Sequence, residues 1–399
     1  MKKTFRLLLS TLFTAVFFFC GCIKYRLSAD PQPSGPVIIG ALLPLSGKDK
    51  LAGSRMTPGL QQAEYELNTQ RGISNRQVKV MFFDSQSTFS GVREAFSAAV
   101  DAGASGIICG GSDTEVQAIL PLAQKHSIPT VICRSTADAA AGANRFVFRS
   151  IHTNRQQGEA LAGYLWYWRQ MLKISVLMDS SSEAEYERNT ARATAEYFRE
   201  LGGTVTNTPV YHGDNFSKAV NEAMITGPQA IIVSARGKRA AEIVKEIRKK
   251  GYKGAVCGLD GWDMPEFFKT LSSIGDPGDC VYVSYYSSSN KTEEAKDFRE
   301  NFRQRQFHIP GNLETISYDT LKLLAIGLGK AQNINDFRRN WLTLRNHFGA
   351  SATYTMLKNG NVDRTMFIHA ITPARRDGIE CQGRLLRSFM HSKLATYRY

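Results

Sequence analysis

From Val37 onward, short runs rich in Val, Ile and Ala alternate with stretches of helical period, and this alternation narrows the possible folds more than any other feature. Strands and helices in series build parallel sheets covered by helices on both faces. Val37–Pro44, Val78–Asp84, Gly106–Gly111 and Thr130–Cys133 read as buried strands. Between them Leu60, Ala63 and Leu67 share one helical face, as do Val92, Phe96, Ala99 and Val100. A helix carrying Tyr164, Trp166, Tyr167 and Trp168 comes next, its aromatic residues read as packing rather than as a binding stripe. A second set then begins: Ile174–Asp179, Val205–Tyr211, Ala230–Ala235, Ala255–Gly258 and Cys280–Tyr285. The expected class is α/β, with two doubly wound parallel-sheet lobes. A chain of 399 residues supports two cores, and a late helix, Tyr318–Lys330, is expected to return to the first.

The amino terminus reads as an export signal over residues 1–21: Lys2, Lys3 and Arg6 precede an apolar run, Leu7 to Phe19, that is too short to span a bilayer comfortably. The run ends in Phe19-Cys20-Gly21-Cys22, which reads as a lipoprotein cleavage site with Cys22 as the lipidated first mature residue. A plain signal peptide or an uncleaved anchor is the alternative. Residues 22–36, rich in Pro, have the composition of a tether. The formal charge is +14, and without residues 1–21, which carry three cations and no carboxylate, it is +11. That excess reads as a solvated surface facing anionic lipid, including Arg248-Lys249-Lys250 and a basic tail with Arg375, Arg376 and Arg387. No nucleic-acid motif is present, and export argues against that partner. Five cysteines remain beyond the signal, an odd number without CxxC or zinc-ligand spacing, so no metal is expected. Cys109 and Cys133 each end a predicted strand, which makes a bridge between them conceivable.

In open parallel sheets solutes bind beyond the carboxyl ends of the strands, where loops and helix amino termini present free N–H groups. Four such ends carry polar side chains: Gly110-Gly111-Ser112-Asp113-Thr114, Cys133-Arg134-Ser135-Thr136, Ala235-Arg236-Gly237-Lys238 and Gly258-Leu259-Asp260-Gly261-Trp262. Ser112 or Asp113 can equally serve as a plain helix cap. No nucleophile elbow, no H-E-x-x-H and no nucleotide fingerprint occurs, so neither an enzyme nor a cofactor is expected.

The chain resembles the leucine/isoleucine/valine-binding proteins, the type I periplasmic solute-binding proteins of ABC importers. The likeness runs from about Val37 to Ala370 and is carried by Ile38 to Gly47, Gly59 to Asn68 with Arg71-Gly72-Ile73, and Phe83-Asp84-Ser85-Gln86. Further carriers are Gly110 to Ser112 with Pro121-Leu122-Ala123, then Ser127-Ile128-Pro129, Ser135-Thr136-Ala137 and Phe146 to Arg149. The resemblance implies two lobes joined by three hinge crossings near Ile151, Ser284 and Ala350. It puts residues 37–151 and 285–349 in the first lobe, 152–284 and 350–372 in the second, and leaves 373–399 as a basic tail. It implies a monomeric receptor, exported and lipid-anchored, whose cleft closes on a small molecule and delivers it to an ABC transporter permease. A sensory module signalling to a membrane partner is the alternative. Carried over by position, the ligand's carboxylate and ammonium contacts fall on Ser112, Asp113, Arg134 and Thr136, beside Ser135. Tyr186 takes the place of the second-lobe aromatic, Asp260 that of the acid holding the ammonium, and Arg236 and Tyr318 stand where the family often has tyrosines. The family usually has a small residue at Arg134 and glycine at Glu187. Two arginines facing the cleft would add positive charge, so an acidic amino acid or another anionic metabolite is expected, unless both turn onto surface carboxylates.

Overall fold

Strand side chains alternate in direction, so a strand that is apolar at every position must be covered on both faces. Strand β1 (Val37–Leu43) shows this directly: Ile39, Ala41 and Leu43 join one core cluster, while Leu42 joins another on the opposite face. The computed structural model describes residues 35–181, 184–373 and 381–397. Cys22, the proposed tether, Arg375 and Arg376 lie outside the described residues, apart from Gly35 and Pro36.

In the first lobe β1 pairs in parallel with β2 (Val78–Asp84) and β3 (Gly106–Cys109), then come β4 (Thr130–Ile132) and β5 (Val147–Arg149). The order is β2-β1-β3-β4-β5. Helices α1 (Lys50–Thr69), α2 (Phe89–Asp101) and α3 (Asp113–Lys125) connect these strands. The second lobe repeats the plan: β6 (Lys173–Asp179) pairs with β7 (Thr204–Asn207), short β8 (Val210–Tyr211) and β9 (Ala230–Val233), which leads to β10 (Ala255–Gly258) and β11 (Cys280–Ser284). Its helices include α4 (Asn154–Gly163, continuing as the π-helical turn Tyr164–Trp168), α5 (Glu185–Glu200), α6 (Ser217–Ile225) and α7 (Gly237–Lys249). The expected strand Val205–Tyr211 is two, separated at Thr208-Pro209; proline lacks the N–H that a continuous ladder needs. The aromatic run packs, with Trp168 stacked on Phe389 and Trp166 edge-on to Phe198.

Beyond α8 (Pro265–Leu271), α9 (Glu293–Gln306), α10 (Asn312–Leu328) and α11 (Ile334–Leu342), the chain turns antiparallel. Strands β12 (His347–Phe348) and β13 (Thr353–Met356) lead into β14 (Val362–Thr372), which pairs with β11 on one side and with β15 (Gln382–Met390) on the other. Residues 350–372 therefore divide between the lobes rather than all joining the second: Ala350, Tyr354, Met356 and Val362 pack in the first lobe's core, Met366 and Ile368 in the second's. Half of the tail's described part forms β15, which brings Phe389 into the second core.

One buried side chain links the connecting segments. Arg364, 1% exposed, donates to the Ser150 carbonyl (3.0 Å), the Tyr285 carbonyl (2.8 Å) and Ser351 Oγ (3.0 Å). Each acceptor lies within one residue of an expected hinge crossing. Asp319 supports the same corner by accepting from the Ala350 and Ser351 N–H groups and from the Ser351 and Tyr354 hydroxyls. No bridge joins Cys109 to Cys133: both are free and buried, and the Cys133 thiol donates to the Cys109 carbonyl at 3.4 Å. Cys257, Cys280 and Cys381 are free and buried as well.

Candidate functional site

Both sheets point the carboxyl ends of their strands at one cleft of about 450 Å³. The loops after β3 and β4 bring Ser112, Asp113, Arg134, Ser135 and Thr136 to one wall; those after β6, β9 and β10 bring Tyr186, Arg236 and Asp260 to the other. Eight of the nine residues expected from the sequence thus meet. Tyr318 does not: its helix α10 packs on α1, so its hydroxyl donates to Glu66 Oε2 at 2.5 Å in a separate cavity of about 660 Å³.

Local chemistry fixes the second wall. Trp262 folds under Gly258, where a Cβ would come within 2.0 Å of the indole ring, and its Nε1 donates to the Val233 carbonyl at 3.1 Å. That anchor holds Asp260 in the mouth of the loop. A capping box between Thr153 and Gln156 starts α4 and sets His152, Asn154 and Gln157 beneath the cleft floor. The Tyr186 hydroxyl donates to Asp260 Oδ1, and His152 Nε2 lies 3.2 Å from Oδ2, close enough for an ion pair though not aligned for a hydrogen bond. Burial opposes ionisation of Asp260, but His152, Tyr186 and the charge of Arg236 outweigh it and hold the carboxyl below its usual range. Burial likewise keeps the His152 imidazole below its ordinary value despite Asp260.

The cleft also contains residues that the sequence reading missed. Asp263 stands three positions after Asp260, accepts from Ser284 Oγ at 2.6 Å, and is pushed up to about 6 by burial, with the neighbouring Asp260 charge adding to the rise. Asp49, Arg55 and Tyr285 line the same space. Asp263 shares the Asp260 loop and Tyr285 directly follows β11, so the strand-end rule reaches both; Arg55 lies inside α1, where no strand-end signal points.

The two arginines that departed from the family pattern each have a carboxylate. Arg134 Nη1 pairs with Asp49 at 2.9 Å. Arg236 forms a two-pronged pair with Glu187, at 2.8 and 3.3 Å, and its guanidinium stacks 4.6 Å above the Tyr186 ring. Glu187 in place of the family's glycine is therefore the partner of Arg236 in place of its tyrosine. The polar groups of the first wall are also engaged: Ser112 N–H and Oγ both donate to Glu115 Oε2 at 2.7 Å, Ser135 Oγ to Asp113, and Thr136 Oγ1 to Asn154 Oδ1 at 2.6 Å.

Comparison with solved structures finds the same fold at low identity. A leucine-binding protein, LivK, from Thermotoga maritima superposes with a TM-score of 0.73 at 21% identity, over 88% of this chain and 98% of that one. The branched-chain amino acid substrate-binding protein LivJ from Streptococcus pneumoniae, in complex with isoleucine, gives 0.72 at 19%, over 88% and 100%. A solute-binding protein of an ABC transporter from Rhodopseudomonas palustris, in complex with 3,4-dihydroxybenzoic acid, gives 0.71 at 15%, over 89% and 98%. No curated protein sequence matches. The family model for periplasmic binding proteins matches residues 36–366, so with its two parallel-sheet lobes and the cleft at their strand ends the chain belongs to the periplasmic binding protein family.

Proposed function

We propose that the chain is an extracytoplasmic receptor that traps one small amino-acid-like solute between its lobes and passes it to the permease of an ABC importer, with no bond made or broken. The observation that carries this reading is the Asp260–Tyr186 pair on one wall of a cleft whose other wall is Ser112 to Thr136. Asp260 is the acceptor for the solute's ammonium. Three or four charge-assisted hydrogen bonds of about 1.5–3 kcal/mol each suffice for micromolar affinity after the cost of closure. The expectation of an acidic amino acid or another anionic metabolite rested on unpaired arginines; with Arg134 on Asp49 and Arg236 on Glu187 that reason falls away, and an amino acid need not be acidic. Export, attachment to the membrane through lipidated Cys22, and a monomeric state belong to this reading.

Isothermal titration calorimetry against an amino-acid panel tests it. Binding by the wild-type chain and its loss in Asp260→Ala is the expected result; affinity unchanged in the variant removes the site. Signalling to a membrane partner uses the same cleft, and ligand-dependent uptake through a co-expressed permease separates transport from it.

A further inference from the structure

Resting on the receptor reading, we infer that the cleft selects a solute of net positive charge, namely an amino acid with a second amine or a guanidine, over neutral and anionic amino acids.

The charges lining the cleft sort into those already matched and those left over. Every guanidinium is matched: Arg55 to Glu314 at 3.1 Å, Arg134 to Asp49, Arg236 to Glu187. Lys48 and Glu185 are both exposed at the mouth and offset each other. Three carboxylates remain, Asp113 on one wall and Asp260 and Asp263 on the other. Among the described residues none of the three is paired with an arginine or a lysine; Asp260 has only the imidazole of His152. Wholly buried Arg149 lies behind the first wall with its Nη2 on the Ala137 carbonyl, and its charge balances at most one of them. Arg364 is balanced in turn by Asp319, to which it is connected through Ser351.

The donors tell the same story from the other side. A carboxylate seeks N–H and O–H groups, yet Ser112 already gives both of its to Glu115, Ser135 its hydroxyl to Asp113, and Thr136 its hydroxyl to Asn154. A ligand carboxylate that turns to any of these three side chains must first break a bond already made. A cation meets carboxylate acceptors that are already in place. Opposed carboxylates on two lobes also give a solute with two cationic groups a reason to hold the cleft shut.

The test is calorimetry on the purified chain at pH 7.5 with L-lysine, L-arginine, L-norleucine, L-leucine and L-glutamate. Norleucine matches the lysine side chain without its amine. Lysine or arginine is expected to bind at least tenfold more tightly than norleucine and leucine, with glutamate weakest. Asp263→Asn and Asp113→Asn, each checked for an intact melting transition, are expected to weaken lysine about tenfold more than they weaken norleucine. Tighter binding of leucine, norleucine or glutamate overturns the charge selection and leaves the receptor reading standing, as does an unchanged lysine affinity in both variants. Binding by no member of the panel overturns the receptor reading itself, and this inference with it.

Discussion

At the scale of single residues, Asp263 makes the most specific demand. A carboxyl raised to about 6 holds its proton more tightly in the folded chain than in the unfolded one. Its contribution to stability is therefore full below the ordinary carboxylate range and is lost as pH rises through 6. Asp263→Asn keeps an acceptor for Ser284 without that charge, so the variant should melt above wild type at pH 7.5, and the gain should shrink towards pH 5. Paired thermal melts at the two values check this, and an equal difference at both refutes it. Single residues were also where the sequence was hardest to read. Arg134 and Arg236 were visible as departures, but their partners stand 85 and 49 positions away, and sequence position says nothing about which carboxylate folds against which guanidinium. Tyr318 stands apart from the other eight for a related reason: a position on a helix is readable, whereas the neighbour its face meets is not.

Elements were more legible, because a parallel strand covered on both faces leaves a continuous apolar run that no surface loop imitates. Strands β1, β3, β4, β6 and β9 to β11 follow such runs closely, while edge strand β2 carries the exposed Lys79. The antiparallel strands after residue 346 went unread, since each mixes polar and apolar positions and the short hairpin β12–β13 has little length to signal. One packing contact gives a prediction here. Gly59 on α1 lies so close to α10 that a Cβ would sit 2.0 Å from the Glu314 carbonyl oxygen. Gly59→Ala must force the two helices apart, at a cost of about 1–3 kcal/mol, seen as a lower Tm. Ending the chain at Thr372 removes β15 and with it Phe389 from the second core, leaving β14 as a bare edge. That truncated chain should aggregate on heating, by light scattering, at a temperature where the full chain stays clear.

For the whole molecule, the resemblance supplies an expectation of how the lobes connect, whereas nothing in the sequence marks the side chain that links those segments. Arg364 lies in β14 and gives no local sign that it serves three distant segments. Arg364→Met would leave the Ser150 and Tyr285 carbonyls buried without their donor, and a loss of about 3 kcal/mol is expected by denaturant titration. Small-angle scattering of the unliganded variant should report a larger radius of gyration than wild type; identical profiles would show that the lobes are held by other means. The five buried thiols carry a different consequence. With no disulfide among the described residues, the folded lobes need no disulfide-forming enzyme, and an alkylating reagent stays blind to these five thiols until the fold comes apart. Mass added per molecule then counts how many copies in a population have opened.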